Sequence, residues 1–254
     1  MENKYIYTII KSAVNKGIDY ISDNPKRGIR NILDLGEYFA SGRFQKEFFN
    51  IAHEILNKED SFYYDKIEDL VANTNHESIA EFGINLGYNS FTYGAGKLRE
   101  YENKQNYRVP WTLVFDFRKK SEDHLSKDEI SDIFNKAKSY GIYCFIILLD
   151  DNDILMQLHP LIEYNQDSAF LLILSHESIT EKTVGKMKSL NNLCFFILLN
   201  DSEQNEFKSS VDNLRNEKCL YGGAYYYDND TFTNITKGNW FKEKISFILY
   251  FILY

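Results

Sequence analysis

Cysteine and proline are scarce in this chain of 254 residues and positive charge is outnumbered by negative, and each of these removes a class of protein. Its three cysteines, Cys144, Cys194 and Cys219, are an odd number at wide spacing, which supports neither a disulfide framework nor a zinc site. Cys144 and Cys194 lie inside the apolar runs IYCFIILL and LCFFILL, where a free cysteine behaves as a small buried hydrophobe. Three prolines among 254 residues argue for long regular elements over a loop-rich or disordered chain. The formal net charge is −8, with 14 Lys+Arg against 16 Asp+Glu in residues 1–108, so no cationic surface for nucleic acid is expected. The longest apolar run, ISFILYFILY, is 10 residues and too short to span a bilayer as a helix. MENKYIYTIIKSAVNKGIDY is interrupted by Lys11 and Lys16 and lacks the apolar core of a signal peptide, so a cytoplasmic protein is expected.

What the chain has in quantity is aromatic residues, 19 Tyr and 19 Phe, arranged in two different periods. Residues 1–108 read as an all-helical module. Ile6, Ile10, Ala13, Val14, Gly17, Ile18 and Ile21 form one stripe at helical spacing; Ile29, Ile32, Leu33, Gly36 and Phe39 form a second. Phe44, Phe48, Ile51, Ala52 and Ile55 form a third. Asn24-Pro25 places a capping side chain and a proline at the start of the second helix. DKIEDLVANT, HESIAEFGINLGY and GAGKLREYENKQ fit further helices, giving five or six short ones.

From residue 109 to 254 short continuous apolar runs alternate with amphipathic stretches, the pattern of parallel strands covered on both faces. WTLVFDF, IYCFIILL, AFLLIL, LCFFILL, LYGGAYYY and ISFILYFIL read as six strands, with five helices between them, the last in NITKGNWFKEK. The fold class is therefore α/β: a partial (β/α)6 TIM-like barrel or a doubly wound sheet, with right-handed crossovers in both. Either way the strand ends gather Asp116, Asp150, Asp151, Asp153, Ser175, His176, Glu177, Asn200, Asp201, Asp228 and Asp230 on the face where α/β proteins bind ligands.

GYNSFTYGAGKLREYENKQNYRVPWTLVFDF, followed by SKDEISDIFNKAKSYG, IYCFIILL and AFLLILSHESITEKTVGKMKSLNNLCFFILLND, resembles a group of radical S-adenosylmethionine (SAM) proteins of Gram-positive bacteria. The likeness covers about residues 80 to 254, in element order and apolar pattern. It implies the partial barrel with a helical N-terminal region. In that family a CxxxCxxC loop after the first strand holds a [4Fe–4S] cluster through thiolates. The matching loop here, FRKKSEDH, has eight residues and no cysteine. Where the family has GGEP after the second strand, this chain has Asp150-Asp151-Asn152-Asp153; where it commonly has Thr-Asn-Gly after the third, this chain has Ser175-His176-Glu177-Ser178. No functional residue of the family carries over. The expectation is a pseudoenzyme of the radical SAM type, without cofactor, that acts by binding, regulation or scaffolding.

The strand-end residues admit other roles. Asp116, Asp150, Asp153, His176 and Asp201 have the oxygen and imidazole ligands of a divalent-cation site, the basis of an alternative reading as a metal-assisted or hydrolytic enzyme. Acidic residues at strand ends also cap helices, and that reading is favoured. His176-Glu177 is a candidate acid–base pair without an adjacent nucleophile. Arg118, Lys119 and Lys120 form the basic cluster at this face, suited to a phosphate or a partner's carboxylate. Gly222-Gly223 lacks the spacing of a phosphate-binding fingerprint. The ligand-binding candidates are thus Asp116, Arg118, Lys119, Asp150, Asp153, Ser175, His176 and Asp201. A sheet ending in ISFILYFILY leaves an edge of high β-propensity, so a protein partner or homodimer is expected through that edge or the helical module.

Overall fold

A computed structural model describes residues 2–40, 42–118, 125–199, 207–226 and 250–253. The helical half opens with α1 (Glu2–Asp23), α2 (Pro25–Tyr38), α3 (Arg43–Leu56) and α4 (Tyr63–Asn73). Asn24 caps α2 by accepting from the Arg27 amide at 3.2 Å, with Pro25 in its first turn, as the sequence predicts. At 22 residues α1 is longer than the short helices expected. Its Ile18 and Ile21 pack with Ile29 of α2, Leu56 at the end of α3, and Tyr64 and Val71 of α4. Phe48 and Ile51, expected in the core, remain exposed on α3 at 55% and 52%.

α5 (His76–Ile84) runs without a break into a ten-residue π-helix (Asn85–Gly94) and on into α6 (Ala95–Gln105). The sequence suggests two helices here; the structure joins them. Buried asparagines fix the wider turns. Asn85 Nδ2 donates to the carbonyls of Gln166 (2.8 Å) and Ser168 (3.1 Å), and Asn89 Nδ2 to Asn85 Oδ1 (2.8 Å) and the Asp167 carbonyl (2.9 Å).

The second half is a six-stranded parallel sheet: β1 (Thr112–Asp116), β2 (Cys144–Leu149), β3 (Ala169–Leu174), β4 (Leu193–Leu199), β5 (Tyr221–Tyr226) and β6 (Tyr250–Leu253). The strands lie in sequence order, β1-β2-β3-β4-β5-β6, with β1 and β6 at the edges. No reversal of order occurs among them, so the switch point of a doubly wound sheet is absent from the described strands. Crossovers of one hand in that order carry their helices to one face. These are α7 (Lys127–Tyr140), α8 (Asn152–Tyr164), α9 (Glu181–Met187) and α10 (Lys208–Asn216). The expected helix in NITKGNWFKEK and most of the run ISFILYFIL lie outside the described residues.

Successive strand residues alternate between two buried faces, the physical reason the runs are apolar throughout. Phe145, Phe170 and Phe195 face the crossover helices, where Phe134 of α7 packs at ring distances of 4.5 Å from Phe145 and 5.5 Å from Phe170. Cys144, Ile146, Leu171, Ile173, Cys194 and Phe196 face the other way and meet Leu70, Ile79, Phe82 and Leu86 of the helical half. Ile79 also borders the cluster among α1, α2 and α4, so one apolar interior continues through both halves. No helix among the described residues is long and apolar enough to cross a membrane.

Candidate functional site

The strand-end face is built from loops that satisfy one another. Asp116 closes β1 and receives Arg118: Nε to Oδ1 at 2.8 Å, Nη2 to Oδ2 at 2.6 Å and the Arg118 amide to Oδ1 at 3.1 Å. Two predicted ligand contacts thus neutralise each other. After β2 the Asp150 carbonyl accepts from Ser178 Oγ at 3.2 Å. The cap of α8 is Asp151, whose Oδ1 accepts from the Asp153 amide at 2.7 Å, while Asp153 adds its charge to the first turn. After β3, Ser175 Oγ lies 3.2 Å from Ser178 Oγ, and His176 Nε2 lies 3.4 Å from Glu177 Oε1. The Glu177 carboxyl is held below its ordinary range by a backbone amide, the Ser175 hydroxyl and the imidazole. The His176 carbonyl accepts from Ser210 Oγ at 2.8 Å. Lys119, Lys120, Asn200, Asp201, Asp228 and Asp230 lie outside the described residues.

The loops after β2 and β3 therefore meet through Asp150 and Ser178, and the loop after β3 meets α10 through His176 and Ser210, but their described side chains do not converge as three metal ligands. Among the described residues such a trio occurs elsewhere, between α2 and α3: Asp34, Glu37 and His53. There His53 Nε2 lies 2.9 Å from Glu37 Oε2 and 3.9 Å from Asp34 Oδ1, with both carboxylates exposed.

All three cysteines are buried. Cys144 on β2 and Cys194 on β4 share a face, but β3 lies between them, which sets them roughly 10 Å apart across the sheet. Cys219 packs on the opposite side with the crossover helices. Burial pushes the Cys144 thiol up to about 11 and the Cys219 thiol up to about 12, and raises that of Cys194 well above its ordinary value. Metal ligation needs thiolates, which burial disfavours at all three positions.

A pronounced concavity lies in the helical half. A cavity of about 560 Å³ opens among α1, α2, α3 and the α5–π-helix segment. Ile10, Val14, Ile32, Phe39, Phe49 and Phe91 are among its walls; among the described residues no wall residue is an acid, lysine, arginine or histidine. Gln45, on the α3 side, uses its amide within the protein, donating to Thr92 Oγ1 at 3.0 Å and to the Phe91 carbonyl, and accepting from the Gly42 amide at 2.6 Å. Phe48, a wall residue that is more than half exposed, marks the opening. The floor carries Gly83 and Gly87, where an added Cβ would meet nothing within 4 Å. The sequence signal for this site is a pair of glycines four apart on a helix, at positions where alanine is worth about 1 kcal/mol more to the helix.

No family model, curated protein or solved structure matches this chain.

Proposed function

We propose that the protein is a non-catalytic binding protein, built on a radical-SAM-like partial barrel whose cluster loop has been lost. The sequential, all-parallel strand order supports the barrel winding, since a barrel adds its strands one after another in a single direction. The observation that carries the functional reading is the placement of the thiols: three buried cysteines, two on one face of the sheet and one on the other. A cubane needs several thiolates at one point, and bringing these together would break up the core. The strand-end face supports the same reading, because Asp116 and Arg118 occupy each other and Asp151 is spent on a helix cap. In this reading the chain works with a protein partner or a second copy, through the edge strand β6 or the helical half. Anaerobic incubation with ferrous iron and sulfide tests it: the protein should emerge without the broad visible absorption of an iron–sulfur cluster. Stoichiometric cluster uptake overturns it.

A further inference from the structure

The apolar cavity in the helical half has properties that select its occupant. Among the described residues its wall carries no charged side chain, so the part of a ligand buried there is neutral and apolar; an unpaired charge would cost far more than the contacts return. Its volume, about 560 Å³, falls within the range of ligand sites, roughly 300–1,000 Å³. A methylene is close in size to a water molecule, whose share of the liquid is about 30 Å³, so an eleven-carbon tail needs roughly 330 Å³. The space suits one alkyl chain.

Charge is available at one end. The Gly42–Gln45 turn borders the cavity, and Arg99 Nη1 lies 3.4 Å from where a Cβ on Gly42 would stand. Among the described residues Arg99 makes no hydrogen bond or ion pair. A guanidinium takes a carboxylate through two parallel hydrogen bonds. Gly83 and Gly87 supply the room, the first on α5 and the second in the π segment, and π turns within helices are frequent at functional sites.

We propose that this cavity binds a single-chain fatty acid, with its tail between α1, α2, α3 and the α5–π-helix floor and its carboxylate at Arg99. The inference rests on the reading of the chain as a binding protein and names its ligand. Calorimetric titration of the full chain with sodium laurate, below its micelle concentration, should show saturable one-to-one binding. Gly83→Leu and Gly87→Leu fill the floor without meeting protein atoms at Cβ; each should fold with an unchanged or raised melting temperature and bind laurate at least tenfold more weakly. Arg99→Gln should weaken laurate roughly three- to tenfold and leave 1-decanol unchanged. Either leucine variant suffices if the other does not fold. The proposal is overturned if laurate does not saturate, if the folded leucine variants keep full affinity, or if Arg99→Gln leaves laurate untouched. It is equally overturned by a dimer that the leucines break and laurate does not. Failure here in iron-free protein sinks the ligand alone, whereas cluster uptake sinks the binding-protein reading itself.

Discussion

At the scale of single residues, burial governs the chemistry of this chain more than reactivity does. The three thiols and the hydroxyls of Tyr7 and Tyr143 all hold their protons to higher pH than free side chains, chiefly because burial disfavours the anion; Glu81 adds to the effect at Tyr7. The folded chain therefore retains protons that the unfolded chain releases above about pH 8.5 at cysteine and about pH 10 at tyrosine. Stability contributed by these groups is complete below those values and is lost as the pH climbs through 11 to 12. Urea midpoints should hold steady between pH 7 and 8 and fall progressively from about pH 9 upward. A midpoint that rises over that alkaline range contradicts the assignment. The same burial predicts that the thiols react with an alkylating reagent at pH 8 only once denaturant is added.

At the scale of elements, the joined helix from α5 through the π segment to α6 is the piece that ties the two halves together. It carries Ile79 and Phe82 into the sheet, anchors Asn85 and Asn89 on the α8–β3 turn, and brings Gly94 against Gly141. That last contact is backbone on backbone: a Cβ on Gly94 would overlap the Gly141 carbonyl, and Gly141 itself has φ +112°. Gly94→Ala should therefore destabilise by about 1–3 kcal/mol in urea melts, despite alanine's better helix propensity. An unchanged midpoint would show that the contact yields freely. At α8, Asp151→Ala should cost about 1 kcal/mol through loss of the cap, with laurate affinity unaffected because the cap lies on the far side of the sheet from the cavity. A larger loss, accompanied by loss of a ligand, would mark Asp151 as part of a binding site.

At the scale of the whole molecule, the parts readable in the sequence are those where one signal dominates. AFLLIL and LCFFILL coincide with β3 and β4 because both sheet faces are buried and every position must be apolar. The SKDE at 126–129 forms a capping box, with the Ser126 amide 2.8 Å from Glu129 Oε2, so the start of α7 is written in four residues. The π-helix was not legible: GYNSFTYG has the composition of a turn, and its wider winding depends on buried asparagine contacts with a segment about 80 residues away. The cavity was hidden for a different reason, since it is made by side chains that Gly83 and Gly87 do not have. At the strand ends the residue types were right for a site, but their partners, Arg118 for Asp116 and the Asp153 amide for Asp151, are local contacts two residues away that composition does not carry.

The most direct measurement is the iron and acid-labile sulfide content of the chain after anaerobic reconstitution. A protein whose three cysteines are buried on opposite faces of a sheet should retain well under one iron per chain after desalting. About four irons with matching sulfide, the content of a [4Fe–4S] cluster, would contradict the account.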